Sequence, residues 1–292
     1  TSGDTGGAVG AAFHDKPNVE VIILYPKGKI SPRQEKQLTS WGKNIRAFSV
    51  NGDFDACQKM VKEALQSDWW KKNKKLISAN SISLARLLPQ MVFYAGASTQ
   101  YFNRTKQKPG FIIPTGNLGN SVAAFWAKKM GFPIGQIILA TNANRAIPDY
   151  FASGKWKEHP TIETLANAMD VGNPSNIERL ISLYPNPEDL KKDAASISVT
   201  DNEIRQTIQE GEKNWGEVWC PHTATAIFAR EKIKDGHWIA VATAHPAKFE
   251  TIVEPLIKKQ IEIPDTLQEI LSKPSHYIEI DSQLSELEGK VL

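Results

Sequence analysis

Short apolar runs alternate with amphipathic segments along the chain, and this alternation limits the possible folds more than any other feature. Runs typical of buried strands occur at residues 20–25, 45–50, 111–114, 136–141 and 238–243. The segments between them often space their apolar residues at helical intervals, as at Ala56, Met60, Val61 and Leu65. Strands that alternate with helices predict an α/β fold with layered helices and mostly parallel sheets.

Capping residues predict where several helices begin. Ser31 followed by Pro32 predicts a helix over residues 32–42, and Asp53 predicts the N-cap of the next helix. A long apolar helix with Pro89 inside it is expected over residues 83–102, after a short strand at 76–79. Further helices are expected over residues 204–215, 225–233, 250–259 and 266–273.

A polar segment that contains Pro and Gly, KQKPG at residues 106–110, separates two α/β stretches. Such segments are typical of domain boundaries. We therefore expect a smaller α/β domain over residues 1–108 and a larger α/β domain, ending in helices, over residues 109–292.

The composition excludes several classes of protein. Lys and Arg number 35 against 32 Asp and Glu, so the net charge of +3 over 292 residues indicates no nucleic-acid partner. No apolar run approaches the roughly 18 residues that span a bilayer. Cys57 and Cys220 are too few for a disulfide framework, which favours a reducing compartment and predicts a cytoplasmic location. No obligate protein partner is evident.

The segment FIIPTGNLGNS, residues 111–121, is the strongest indication of chemistry. A predicted buried strand runs into a loop rich in Gly and Asn, and a helix follows at once. Gly116 and Gly119 allow close approach of the backbone, Asn117 and Asn120 tolerate unusual dihedrals, and a helix N-terminus attracts anions. The segment indicates a phosphate site, with a plain strand-to-helix turn as the alternative. Its spacing is neither that of a P-loop nor that of the dinucleotide fingerprint.

Three other segments are weaker candidates. The Gly-rich opening, residues 1–7, indicates either close helix packing or a ligand contact through Thr5. Ser81, with Arg86 five residues later, indicates either a capped helix or a second anion site. The third segment follows the last predicted strand, where ligand groups gather in α/β sheets, and it contains Thr243, His245 and Lys248. The six histidines show no metal-ligand spacing, so no metal site is expected.

Six blocks, in order, resemble threonine synthases: TSGDTGGA, SANSISLARLLPQ, PTGNLGNSVAAFWAKKMG, ATNANRAIPDYFASG, ANAMDVGNPSNIERL and TAHPAKF. The resemblance is to the longer subgroup, found in many bacteria and fungi. It implies a tryptophan synthase β-like fold (fold type II, three-layer αβα) whose larger domain binds pyridoxal 5'-phosphate. It also implies conversion of O-phospho-L-homoserine and water to L-threonine and phosphate.

The resemblance implies roles for the residues already singled out. The cofactor phosphate would be bound by the loop residues Gly116, Asn117, Leu118, Gly119 and Asn120. The pyridine nitrogen would be bound by Thr243, and the substrate phosphate by Ser81, Arg86 and Thr5. Many relatives of this fold have an Asn before Thr5 that faces the ring hydroxyl of the cofactor; Asp4 stands there in this chain, so Asn80 is the expected replacement.

The opening turn is of a kind that usually follows a strand, so we expect residue 1 to lie within a longer protein. The resemblance places the Schiff-base lysine upstream of residue 1, and Lys248 matches a different block of the family. No catalytic residue is therefore assigned within the chain. Without its covalent nucleophile, we expect this chain to be inactive on its own.

Two alternatives remain open at this point. One is another lyase of the same fold and cofactor, such as a threonine or serine dehydratase, which acts on unphosphorylated amino acids and needs no Ser81–Arg86 clamp. The other is a catalytically inactive homologue that binds pyridoxal phosphate or a phosphorylated ligand without turnover.

Overall fold

A computed structural model describes residues 1, 3–81 and 83–291, and their contacts divide the chain into two units. The first unit contains Thr1–Ala79, Ala247–Thr251 and Gln260–Leu292, and the second contains Asn80–Pro246 and Ile252–Lys259. Each unit has its own parallel sheet.

The elements are as follows. The strands are β1 (Val21–Pro26), β2 (Ile45–Asn51), β3 (Gly110–Pro114), β4 (Ile137–Thr141), β5 (Ala194–Ser198), β6 (Trp238–Ala240) and β7 (Tyr277–Asp281). The helices are α1 (Asp4–Phe13), α2 (Pro32–Thr39), α3 (Phe54–Gln66), α4 (Asp68–Asn73), α5 (Leu84–Thr105), α6 (Gly119–Lys129), α7 (Ala146–Ser153), α8 (Ile177–Leu183), α9 (Pro187–Asp193), α10 (Asp201–Trp215), α11 (Pro221–Lys232), α12 (Glu250–Ile257), α13 (Asp265–Ser272) and α14 (Leu284–Val291). Short 3₁₀ turns lie at Asn167–Met169 and Pro246–Phe249.

The sheet of the first unit has the order β1-β2-β7, and both pairings are parallel. Successive side chains of a strand point to opposite faces, so each face can bury its own apolar set. Ile23 and Ala47 pack with Leu38 of α2. On the opposite face Phe48 packs in one cluster with Met60 of α3 and with residues of α14. The first unit is therefore a three-layer arrangement.

The second unit repeats this arrangement with the parallel order β5-β4-β3-β6. Phe111 and Ile113 of β3 pack with residues of α5 and α6, and the rings of Phe111 and Tyr94 meet edge to face. Ile112 points the other way and packs with Ala226 of α11. In a parallel sheet the carboxyl ends of neighbouring strands share one edge, so the segments after β3, β4 and β6 lie along the same edge.

The predicted α/β class and the parallel sheets are confirmed. The helix starts predicted from capping residues are also confirmed. Ser31 forms a capping box with Gln34 at the start of α2, and the Asp53 side chain accepts a hydrogen bond from the Ala56 N–H at the start of α3. The long helix α5 contains Pro89, as expected.

Other local predictions differ from the structure. Residues 76–79 are irregular, so the strand predicted there is wrong. The last predicted strand ends earlier, at Ala240, and this places Thr243 in the loop that follows β6. The strands β5 and β7 were not predicted. In β7 only Ile280 is buried, and the other side chains of the strand are exposed. The strand β5 consists of small and polar residues around one Ile. Neither strand therefore has an apolar run that would predict it.

The division into units also lies elsewhere than the boundary expected after residue 108. That position falls inside the second unit, because α5 packs against α6 across it. Residues 260–292 belong with the first unit, because β7 pairs with β2. Strand pairing between distant parts of the chain decides this membership, and no local composition signals it.

Gly6 and Gly7 test whether the Gly-rich opening serves helix packing. A Cβ on Gly6 would lie 2.7 Å from Leu38 Cδ2 and 3.1 Å from Ile23 Cγ2, whereas one on Gly7 would meet Gln37 Cβ at 3.4 Å. We expect Gly6→Ala to lower the free energy of unfolding by about 1–3 kcal/mol, because α1 must move away from the sheet. Gly7→Ala is the matched control, and we expect it to leave urea denaturation unchanged or slightly improved. Equal destabilisation by both substitutions would contradict close packing at Gly6.

Candidate functional site

The loop between β3 and α6 presents backbone N–H groups at the N-terminus of a helix. Within the part of the chain that the structure describes, the N–H groups of residues 116–120 make no hydrogen bond. Leu118, the N-cap, is buried and has a left-handed backbone with φ of 61°. The positive end of the dipole of α6 adds to these donors. This arrangement can bind a phosphate.

Asn120 holds the shape of this loop. Its Oδ1 accepts hydrogen bonds from Thr115 Oγ1 at 2.8 Å and from the Ser121 N–H at 2.9 Å. Its Nδ2 donates to the Pro114 carbonyl at 2.8 Å. The carboxamide of Asn120 is therefore engaged with the loop itself, and it is the backbone N–H groups that stay available to an anion.

The two glycines of the loop have different surroundings. A Cβ on Gly116 would lie 2.7 Å from Met169 Cα and 3.0 Å from the Met169 carbonyl oxygen, so this glycine is required by the close approach of another backbone segment. A Cβ on Gly119 would meet Asn176 Nδ2 and the Ser81 carbonyl oxygen at 3.5 Å, which is an ordinary contact. The fold therefore needs Gly116, while the structure leaves room for a side chain at 119.

Asn176 joins the loop to the segment before α5. It is completely buried, and its Nδ2 donates to the Asn117 carbonyl at 2.8 Å and to the Ser81 carbonyl at 3.2 Å. Its Oδ1 accepts from the guanidinium of Arg179. Asn117 is also held through its Oδ1, which accepts from the Ser175 N–H at 2.8 Å. The two segments expected to bind phosphates are thus neighbours in the second unit.

The second predicted anion segment has an ordered start. Asn80 Oδ1 accepts from the Ser81 N–H at 2.6 Å and from Ser81 Oγ at 3.2 Å. Arg86 lies in the first turn of α5 and is half-buried. Burial lowers the pKa of its guanidinium, because desolvation disfavours the charged form. An anion beside this cation would compensate the desolvation.

Thr243 lies at the same sheet edge as the loop, because β6 pairs with β3 in parallel. Its side chain is exposed. The Thr243 N–H donates to Thr223 Oγ1 at 3.1 Å, and the two hydroxyls are 3.2 Å apart. The Cys220 sulfur lies 3.5 Å from Thr243 Oγ1. Thr223 and Cys220 were not singled out from the sequence, and only their proximity to Thr243 draws attention to them.

Of the remaining candidates, Thr5 and Lys248 belong to the first unit and His245 to the second. Thr5 is half-buried in the first turn of α1. Asp4, the residue before Thr5, forms an ion pair with Lys248, with 3.1 Å between Asp4 Oδ1 and Lys248 Nζ. The Lys248 ammonium is thus engaged in an ion pair, and Lys248 stays unassigned as the cofactor lysine. His245 is exposed in the loop before Pro246.

Asp170 anchors the loop whose Met169 packs against Gly116. Its carboxylate accepts hydrogen bonds from Asn142 Nδ2 at 2.7 Å and from the N–H of Thr164 at 2.9 Å. Burial raises its pKa to about 6, although these hydrogen bonds act in the opposite direction. This network follows β4, so it lies along the same edge of the sheet as the loop after β3.

Residues 1, 3–81 and 83–291 contain no group of three or more His, Cys, Asp or Glu that could hold a metal ion. Nor does any helix among them combine the length and the apolar character that a membrane crossing requires.

Comparison with known families places this arrangement in a class. The sequence model described as pyridoxal-phosphate dependent enzyme matches residues 1–243, and the chain belongs to this family. A second model, described as threonine synthase, C-terminal, matches residues 222–291.

The similar proteins are threonine synthases, which confirms the resemblance noted in the sequence. That of Buchnera aphidicola (subsp. Acyrthosiphon pisum) is 42% identical over 283 residues, which cover 95% of this chain and 66% of the relative. The crystal structure of threonine synthase from Escherichia coli has a TM-score of 0.90 at 38% identity, covering 99% of this chain and 68% of that chain. The PLP-bound threonine synthase of Brucella melitensis has a TM-score of 0.89 at 31% identity, with coverages of 99% and 68%. The chain therefore spans about two thirds of the length of these proteins.

Proposed function

We propose that this chain carries the two phosphate-binding segments of a threonine synthase, the enzyme that converts O-phospho-L-homoserine and water to L-threonine and phosphate. The observation that carries the proposal is the pairing of the two segments. Backbone N–H groups without partners at residues 116–120 lie beside the Ser81 segment, and the Nδ2 group of Asn176 contacts both. Two adjacent sites for phosphate suit a reaction that has one phosphate on its cofactor and one on its substrate.

The chemistry of the donors fits pyridoxal phosphate. The N–H groups of the loop suit its phosphate, and the exposed Thr243 hydroxyl can hydrogen-bond a pyridine nitrogen without a carboxylate to enforce its protonation. When bound, the cofactor supplies an electron sink for removal of protons from the substrate. Arg86 and Ser81 hold and orient the substrate phosphate, and Asn80 is the proposed partner of the ring hydroxyl.

O-phospho-L-homoserine is the small-molecule substrate, and neither a nucleic acid nor a membrane nor an obligate protein partner is required. The protein acts in the cytoplasm, as its two free cysteines favour. The stretch from Thr1 to Leu292 does not turn over by itself, because the family resemblance assigns the cofactor lysine to no position within it.

Binding of pyridoxal phosphate to the purified chain tests the proposal directly. We expect saturable binding that inorganic phosphate reverses, and we expect borohydride reduction followed by peptide mass mapping to find no stoichiometrically labelled lysine. Specific labelling of Lys248 would contradict the lysine assignment, and absence of binding would contradict the cofactor site. Turnover of phosphohomoserine by this chain alone would contradict its proposed inactivity.

Arg86→Ala separates a phosphohomoserine enzyme from a dehydratase. We expect the substitution to lower the affinity of the cofactor-loaded chain for O-phospho-L-homoserine by roughly ten- to a hundredfold, the value of a charge-assisted hydrogen bond of about 1.5–3 kcal/mol. Arg104→Ala, on an exposed position of the same helix, is the control and should leave calorimetric titrations unchanged. Tight binding of unphosphorylated serine or threonine that Arg86→Ala does not affect would favour the dehydratase.

A further inference from the structure

Cys220, Thr223 and Thr243 form a small hydrogen-bonded cluster at the start of α11. Cys220 is the N-cap, it is buried, and its sulfur accepts from the Thr223 N–H at 3.3 Å. Its thiol lies 3.2 Å from Thr223 Oγ1 and donates to it. Thr223 is also buried, whereas Thr243 is exposed. The cluster thus connects a buried thiol to an exposed hydroxyl through one buried hydroxyl.

Counting donors and acceptors gives the direction of each hydrogen bond. A hydroxyl has two acceptor positions and one proton. Thr223 Oγ1 accepts from the Thr243 N–H at 3.1 Å and from the Cys220 thiol at 3.2 Å, so both acceptor positions are used. Its own proton then points to Thr243 Oγ1, at 3.2 Å. Thr243 Oγ1 accepts this bond, and its own proton is left to point away from the cluster.

We propose that Cys220 and Thr223 are positioning residues that keep the Thr243 hydroxyl a hydrogen-bond donor for the cofactor, and that this requires a neutral thiol. A thiolate has no proton to give and accepts instead. Thr223 and Thr243 would then both donate to sulfur, and the proton of Thr243 would turn inward. The proposal rests on the proposed function, because it takes the Thr243 hydroxyl as the partner of the ring nitrogen.

The groups that face the Cys220 thiol allow it to lose its proton near neutral pH. Burial raises the pKa of Cys220, but hydrogen bonds from His222, Thr223 and Thr243 outweigh it and bring the pKa to about 7. His222 is on α11 itself, and its Nε2 accepts from the Ala168 N–H of the neighbouring 3₁₀ turn at 3.1 Å. Asp170, directly after that turn, is an acidic group close enough to His222 for an electrostatic interaction. Thr243, from the loop after β6, carries no ionisable group.

The test follows the ring nitrogen of bound, ¹⁵N-labelled pyridoxal phosphate as the pH rises through about 7. In the unmodified chain we expect the nitrogen chemical shift to move from a hydrogen-bonded to a less hydrogen-bonded value. Cys220→Ser keeps a neutral donor of similar shape at every pH of the experiment, so this movement should disappear. Cys57→Ser, a buried cysteine of the first unit, is the control and should retain it.

Two further variants make the test independent of folding defects. Thr223→Val removes the hydroxyl that relays the proton, and we expect the less hydrogen-bonded signal at every pH. Thr223→Ser restores the hydroxyl and should restore the pH-dependent signal. The proposal is overturned if Cys220→Ser titrates like the unmodified chain, or if Thr223→Val and Thr223→Ser give the same signal. Failure of the unmodified chain to bind pyridoxal phosphate would instead count against the proposed function.

Discussion

Asn176→Asp should disable both phosphate-binding segments at once. The substitution keeps the oxygen that Arg179 contacts but replaces Nδ2, the donor to the Asn117 and Ser81 carbonyls, with a second oxygen. Two partly buried carbonyl oxygens then face a carboxylate. Because unpaired buried polar groups cost about 1–3 kcal/mol each, we expect the free energy of unfolding to fall by about 2–4 kcal/mol.

The functional consequence distinguishes a link between the sites from a simple loss of stability. We expect the affinity for pyridoxal phosphate to fall at least a hundredfold and the affinity for O-phospho-L-homoserine to fall with it, in titrations under conditions where circular dichroism shows the chain folded. Asn186→Asp is the matched control, since Asn186 is an exposed N-cap and Asp serves there equally well. Loss of one affinity with full retention of the other would show that Asn176 does not couple the segments.

Gly119→Ala should strongly weaken cofactor binding without harming the fold. The added Cβ meets only ordinary contacts, at 3.5 Å from Asn176 Nδ2 and from the Ser81 carbonyl oxygen. Replacing Gly by Ala at the first position of α6 also reduces the entropy lost on folding, so stability should stay level or rise by up to about 1 kcal/mol. The methyl group nevertheless enters the space between the loop and the Ser81 segment, where the N–H donors must meet the phosphate.

We expect the affinity of Gly119→Ala for pyridoxal phosphate to fall by roughly a hundredfold or more, as two charge-assisted hydrogen bonds are lost at about 1.5–3 kcal/mol each. Gly96→Ala is the control, because Gly96 lies within α5 and a Cβ there has no neighbour within 4 Å. Gly116→Ala should instead lower the stability of the fold, because its Cβ would collide with the Met169 backbone. Unchanged cofactor affinity in Gly119→Ala would remove this loop from the cofactor site.

Several features could be predicted from the sequence because their causes are local. The apolar runs of β1, β2, β3 and β4 and the caps Ser31 and Asp53 lie within a few residues of the structure they specify. The Gly- and Asn-rich loop after β3 is also specified locally, because a strand, a turn and a helix start follow directly on one another. The roles of the loop residues and of Arg86 came from the family resemblance and remain predictions until binding is measured.

Strand pairing and unit membership depend on partners far along the chain. β7 has one buried side chain, Ile280, and becomes a strand because β2 offers a free edge some 230 residues earlier, as the pairing of Asn51 with Asp281 shows. The same pairing brings the C-terminal residues into the first unit, away from the boundary expected near residue 108.

The sequence by itself determined the α/β class, most of the strand positions, the helix caps and the Gly- and Asn-rich turn between β3 and α6, since each is specified by the hydrophobic period or by the backbone preferences of adjacent residues. The tertiary structure alone decided that Asn176 contacts both the loop after β3 and the Ser81 segment, and that Cys220 and Thr223 lie in one hydrogen-bonded cluster with Thr243. The physical reason is that a buried polar group must find its hydrogen-bond partners wherever the fold brings them, and those partners come from other segments of the chain.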